Sequence, residues 1–393
     1  MGLNRFCKVS PLLIKGGTSF FPVSTKTKTV DFLSLGGRIE SVEPSMDELT
    51  LRSVFPDLKV LDAGGCKVVP GFIDQHNHFN GAGGEGGPEF RTPPAELSSF
   101  LEAGVTGAVG LLGTDGVSRS LEELLAKARG LEAEGLSTWI YTGSYRIPSP
   151  AMTGSIMRDM VLIDKVIGVK MALSDHRCSH PSVQEIRRLV SDVRTAGMLS
   201  GKFGVVCVHM GSESSGLGPV REALRGLEVP PGHFVPTHVG RTDDLLKEAV
   251  DLVLCGGRAD ITADDRALGA IEAFLRAGAD LSSVTLSSDG NGSLPKFDDR
   301  KRLIGMAMGS PRSLMERMKS AVDAGLAPLE TVVAMVTSNV ADGLGLRGKG
   351  RLERGYDSDL VVLTPDLSIR HVVSRGRVMM EDGEVAVKGV FES

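Results

Sequence analysis

GFIDQHNH, residues 71–78, is a short apolar run that closes on two histidines. A β-strand sends alternate side chains to one face, so His76 and His78 point the same way and can reach one metal ion. Four further apolar runs carry a polar residue near their ends: Lys170 in VIGVKMALSD, His209 in FGVVCVHMG, His238 in FVPTHVG and Asp289 in VTLSSDG. In a parallel β/α barrel every strand ends on one face, and catalytic residues collect there. The runs therefore predict a barrel whose mouth gathers these six side chains.

Working outward, residues 70–350 alternate strand and helix. The strand candidates are GFIDQHNH, VTGAVGLLG, TWIYTGSY, VIGVKMALSD, GVVCVHMG, FVPTHVG, ADITAD and VTLSSDG. Helix-like stretches such as SLEELLAKARGLEAEG, SVQEIRRLVSDVRTAG and DDLLKEAVDLVLCGG lie between them, several opening on Ser, Thr or Asp and stopping at Gly. Eight βα units in series are what a (β/α)8 barrel requires. The flanks, 1–69 and 351–393, read as short β runs broken by turn signals such as Gly36-Gly37 and Asp382-Gly383. Neither flank has strands enough for a core of its own. Together they predict one small β-sandwich that brings the termini close. The Gly/Pro-rich loop NGAGGEGGPEFRTPP, 80–94, follows the first barrel strand on the presumed active face, where long loops carry function.

Composition narrows the class. A chain of 393 residues with 41% hydrophobic and 24% charged side chains suits a large soluble enzyme. A net charge of −5 without a basic block argues against nucleic acid. No apolar stretch approaches the ~18 residues of a membrane span. The start MGLNRFCKVSPLL has no signal-peptide core, and Phe6 stands where a myristoylation signal needs Ser or Thr. Cys7, Cys66, Cys178, Cys207 and Cys255 form no CxxC pair, so they are expected to be reduced thiols of a cytoplasmic protein.

The six strand-end residues suit a binuclear metal hydrolase. Neutral imidazoles and anionic oxygens bind Zn²⁺ best, with other divalent transition metals possible, and the ion lowers the pKa of water to roughly 7. Each residue has a plainer reading as well. His76 and His78 suit a polar strand-end loop, His209 and His238 suit satisfied core histidines, and Asp289 suits an Asx turn before Gly290. Lys170 is a snorkelling lysine or, beside two cations, an amine of lowered pKa able to take up CO2 as a carbamate. His176, His180, His233 and His371 lie off the strand-end register and are left out of the site.

The segments VVPGFIDQHNHFNGAGGEGGPEFRTP, EAGVTGAVGLLGTD, TGSYRIPS, DKVIGVKMALSDHR, HMG, VPTHVGR and VTLSSDGNGSLP, with LVVLTPDLSIRHVVSRGRVMMEDGEVAVKGVFE, carry a resemblance. The chain resembles the amidohydrolase superfamily and, within it, the isoaspartyl (β-aspartyl) dipeptidase family, over nearly everything beyond about residue 60. The resemblance implies two zinc ions. His76, His78 and Asp289 would hold one, His209 and His238 the other, and carboxylated Lys170 would bridge them. A metal-bridging hydroxide would be the nucleophile. Glu85 would meet the substrate's α-ammonium, while Arg177 and Arg241 bind its carboxylates with help from Thr114 and Ser293. Tyr145 would polarise the scissile carbonyl, and Asp289 would move the proton.

Those residue types suit an isoaspartyl dipeptide, which carries one ammonium and carboxylates at fixed spacing. Glu85, in a loop of Gly, Ala, Asn and Pro, is expected to have few partners other than a bound cation. Arg177 and Arg241 also suit surface ion pairs, and Tyr145 a core aromatic. Gly240 departs from the family, which more often has a polar residue before the arginine, and the first ~60 residues match poorly. The family is often octameric, so a homo-oligomer is implied. The alternatives are a cyclic-amide hydrolase of dihydroorotase or hydantoinase type and a non-enzymatic binding relative.

Overall fold

The computed structural model describes residues 9–21, 24–297 and 303–392. Eight parallel strands follow in chain order around a barrel: Phe72–Asn77, Val105–Gly110, Ser137–Gly143, Val166–Leu173, Val205–Met210, Phe234–Thr237, Ala259–Thr262 and Val284–Ser287. Strands buried on both faces need continuous apolar runs rather than alternation, and every residue of Val166–Leu173 and Val205–Met210 is buried. Helices cover the outside. Ser120 caps Leu121–Glu134 by accepting from the Glu123 amide, and Ser182 with Glu185 closes a reciprocal capping box on Val183–Ser200. Leu124 and Leu131 of the first helix and Ile186 and Val190 of the second enter one core with Val105, Val169 and Val206. Each such side chain contributes about 1.5–3 kcal/mol by leaving water.

The lumen is packed. Ile73, Val109, Tyr141, Ile167, Cys207 and Val235 meet Val340, Ala341 and Leu344 of the helix Ser338–Leu344. Most of these strand residues lie early in their strands, so that helix stoppers the end away from the strand C-termini. Closure between the last and first strands is incomplete. Asn77 and Gly290 form one parallel bridge near the mouth. Lower down Met335 and Val336 enter the seam: the Leu286 amide donates to the Met335 carbonyl at 3.1 Å, and the Ile73 amide to the Val336 carbonyl at 2.7 Å.

The two ends of the chain meet in a separate nine-stranded sheet. Its central strand, Lys67–Pro70, pairs parallel with Leu12–Phe21 and antiparallel with Leu360–Leu363, so that Val69 faces Val361. The sheet curls until its hairpins touch, and the Ser358 amide donates to the Gly37 carbonyl at 2.8 Å. Gly37 has φ +85°, and a Cβ there would stand 2.8 Å from the Arg375 carbonyl, so the turn requires glycine. Leu12, Ile14, Phe32, Val68, Val362 and Val373 fill the enclosed core. At the junction with the barrel, buried Lys349 pairs with Asp359 at 2.6 Å and Asp357 at 2.8 Å, and donates to Ser137 Oγ at 2.7 Å.

No described helix is long and apolar enough to cross a membrane. Cys66, Cys178, Cys207 and Cys255 are free thiols; Phe6 and Cys7 lie outside the described residues.

Candidate active site

The first barrel strand ends at Asn77 after a register irregularity between Asp74 and Asn77, and it delivers His76 and His78 to the mouth. Asp289 arrives just past the eighth strand. Its carboxylate Oδ1 lies 3.1 Å from His78 Nε2 and 3.5 Å from His76 Nε2. One ligand atom from each of the three lies within 4.8 Å of the others, and all three residues are buried. Lys170, fully buried on the fourth strand, sets Nζ 3.2 Å from His76 Nε2 and 3.7 Å from Cys207 Sγ. His238 follows the sixth strand, with its ring centroid 5.0 Å from that of His76. Its Nδ1 is fixed by Thr262 Oγ1 at 2.7 Å. His238 and Asp289 hold φ of +63° and +53°, a region a side chain occupies only where its surroundings enforce it.

These residues fit a divalent cation. His76 Nδ1, His78 Nδ1 and His238 Nε2 are buried ring nitrogens without a hydrogen-bond partner among the described residues. Burial is the largest influence on His76, His209 and His238 and pushes all three well down, keeping them neutral, the form that ligates. Burial would raise Asp289, but its hydrogen bond with His78 and the basic groups around it outweigh that and hold the carboxyl low. Burial also lowers the Lys170 amine. Just below, buried Asp260 accepts from Gln75 Nε2 at 2.6 Å, Thr237 Oγ1 at 2.7 Å and Ser287 Oγ at 2.6 Å. A fully satisfied network of this kind fixes the strand ends relative to one another.

His209 stands one step aside. Its ring lies 4.6 Å from that of His238, yet both of its nitrogens are engaged. Nδ1 meets the Tyr145 hydroxyl at 2.6 Å and Nε2 meets Asp175 Oδ2 at 3.1 Å. Asp175 also takes two hydrogen bonds from the Arg177 guanidinium, each 2.8 Å, and lies 3.7 Å from Arg241. To bind a metal, His209 must release Tyr145 or Asp175.

Glu85 is not alone in its loop, contrary to the sequence expectation. Its carboxylate accepts from Arg177 Nη1 and Thr114 Oγ1, both at 3.0 Å, and from Ser293 Oγ at 3.3 Å. The partners come from three different strand ends, a convergence that the glycines flanking Glu85 do not reveal. A cavity of about 580 Å³ is lined by Glu85, Thr114, Tyr145, Arg177, Arg241 and Ser293 together with His78, His209 and Asp289. Asp175, Leu294, Met306 and His176 line it too, and sequence reasoning named none of them as site residues. Asp175 had a visible signal: it follows the fourth strand directly, two residues before Arg177. His233 and His371 are elsewhere, the first stacked on Phe203 and the second in the terminal sheet, and His180 pairs with Glu213.

Known proteins share this chain's fold. The amidohydrolase family model matches residues 233–379. The β-aspartyl dipeptidase of the thermophilic keratin degrader Fervidobacterium islandicum AW-1, solved in complex with β-Asp-Leu dipeptide, is 40% identical with a TM-score of 0.87, covering 95% of this chain and 98% of that one. A dihydroorotase from Pelotomaculum thermopropionicum is 26% identical over 91% of this chain and 90% of its own. A D-hydantoinase structure at 16% identity and a TM-score of 0.67, covering 97% of this chain and 98% of that one, shares the fold. With 40% identity along nearly the whole of a dipeptidase, this chain belongs to the β-aspartyl dipeptidase family of the amidohydrolases.

Proposed function

We propose that this hydrolase cleaves the isoaspartyl bond of dipeptides with two divalent ions, zinc being the best chemical match, held by His76, His78, Lys170, His209, His238 and Asp289. The observation that carries the reading is the Glu85–Arg177 pair on the cavity wall. The aspartyl residue of a β-linked dipeptide bears an α-ammonium and an α-carboxylate on one carbon. Glu85 complements the first and Arg177 the second, so substrate replaces one internal ion pair by two and leaves no charge uncompensated. Arg241, beside Asp289 in the same cavity, suits the carboxylate of the leaving residue. Dihydroorotate and hydantoin have no ammonium to offer Glu85.

Bound ions would supply an activated water and polarise the scissile carbonyl. Asp289, ionised beside its imidazoles, accepts the proton of that water and hands it to the departing amine. Burial pushes the Tyr145 phenol up, so its hydroxyl stays protonated and can turn from His209 to donate to the developing oxyanion. The lowered Lys170 amine can add CO2 with loss of a proton, giving the cluster a further anionic oxygen.

The test is hydrolysis of β-Asp-Leu by purified protein against α-Asp-Leu, dihydroorotate and hydantoin, with elemental analysis of the same sample. Turnover of β-Asp-Leu and about two transition-metal ions per chain are expected. Full activity in metal-free protein would defeat the metal role. The dihydroorotase likeness favours a second reading, cyclic-amide hydrolysis, and turnover of dihydroorotate without β-Asp-Leu would put it first.

A further inference from the structure

A second cavity of about 430 Å³ adjoins the first, within the size range of small-molecule sites. The two share Arg241, Asp289 and Leu294, so these residues form the partition between them. Its wall is apolar at Met308 and polar or charged at Asp264, Asp265, Arg266, Ser313 and Arg317; Arg317 pairs with Asp265 at 3.5 Å, while the buried Ser313 Oγ and Arg317 Nε have no hydrogen-bond partner among the described residues. Gly240 lines this second cavity only. Its φ lies outside the left-handed region, so the backbone does not require glycine there. A Cβ would meet Ala270 Cβ at 3.4 Å, an ordinary contact, with the next neighbour at 4.0 Å. Glycine at 240 is therefore not demanded by the backbone, and a side chain there would start in contact with Ala270 and with Arg266 of the cavity wall.

We infer that the second cavity receives the side chain of the leaving residue, and that Gly240 sets the size of side chain admitted. The inference rests on the proposed dipeptidase reading. A leaving residue whose carboxylate sits on Arg241, with its scissile amide at Asp289, has its Cα at the partition. Its side chain then has the second cavity in front of it, where Leu294 and Met308 are the large apolar contacts for a chain of Leu or Met size in an otherwise polar lining.

The experiment compares kcat/KM for β-Asp-Leu and β-Asp-Gly in the metal-loaded wild type, Gly240→Ala and Gly240→Leu. The Leu-to-Gly ratio is expected to fall stepwise, by tenfold or more in Gly240→Leu, because the added side chain occupies the space the leucine needs. An unchanged ratio, or a loss shared equally by both substrates, overturns the inference, since it places the effect on Arg241 rather than on the cavity. Gly240→Ala keeps the test open if the leucine variant does not fold. Failure of the wild type on both dipeptides would defeat the dipeptidase reading itself, a separate outcome from an unaltered ratio.

Discussion

Arg177 is held from two sides, by Asp175 with a pair of 2.8 Å hydrogen bonds and by Glu85 at 3.0 Å. Of the two, Glu85 is the partner a substrate ammonium can take over. Glu85→Gln is expected to cut kcat/KM for β-Asp-Leu by about two orders of magnitude, since each ~1.36 kcal/mol is tenfold, while metal content stays the same. N-acetylated β-Asp-Leu should be a poor substrate for the wild type and lose little more in the variant; an acetylated substrate turned over normally would remove Glu85 from the ammonium site. Tyr145→Phe should lower kcat by roughly 10²-fold with KM less affected, the scale of one lost oxyanion donor. A normal kcat with raised KM would make Tyr145 a binding residue. Asp74 offers a pH signature. Burial raises its carboxyl to about 6 against the pull of Ser288 and Asn77. The folded chain thus keeps a proton that the unfolded chain releases near 3.8, so this stability is full below that value and lost as pH rises to about 6. In metal-free protein, melting temperature measured between these pH values should fall less steeply for Asp74→Asn than for the wild type.

The loop between the first barrel strand and the helix Leu97–Leu101 has little regular structure beyond the short 3-10 turn Pro88–Phe90, yet it is anchored. Arg119, 5% exposed, donates to the carbonyls of Asn80, Ala82 and Thr92, the last two at 3.1 and 2.9 Å. Guanidinium bonds to three carbonyls fix the loop that presents Glu85. Arg119→Met should raise KM for β-Asp-Leu by about tenfold or more without loss of metal, because a charged hydrogen bond is worth about 1.5–3 kcal/mol. A KM within twofold of wild type would show that the loop holds its shape unaided. At this scale the sequence was readable where burial dictates residue type: each barrel strand is an apolar run because both its faces are covered. It was unreadable where contacts are made only after folding. Arg119 lies far along the chain from the carbonyls it holds, and Met335 and Val336 fill the barrel seam with residues that look like any helix end. The hairpin Ser293–Phe297 and Leu303–Met308 was likewise unforeseen, since Pro295 argues against a strand in a ladder.

The two units of the molecule are joined by charge as well as by chain. Lys349 is 6% exposed and lies between Asp357 and Asp359, the latter also accepting from the Arg375 amide at 2.7 Å. Lys349→Met would leave two carboxylates uncompensated, and the cost is expected to be on the order of 3–5 kcal/mol by urea unfolding. Adding Asp357→Asn and Asp359→Asn should recover part of it; no recovery would locate the loss in packing instead. The meeting of both ends of the chain in one small β unit was anticipated, because neither flank holds enough strands for a core; it takes the form of one nine-stranded sheet where a sandwich was expected.

That shared sheet makes order of synthesis matter. Strand Lys67–Pro70 waits for Leu360–Leu363, which leaves the ribosome about 290 residues later, roughly 15–60 s at 5–20 residues per second. Throughout that interval the nascent chain carries an apolar strand with a bare edge, a template for pairing with other chains. A chain ending near residue 350 stays in that condition permanently. It should accumulate in inclusion bodies even though every residue of its candidate site has been made.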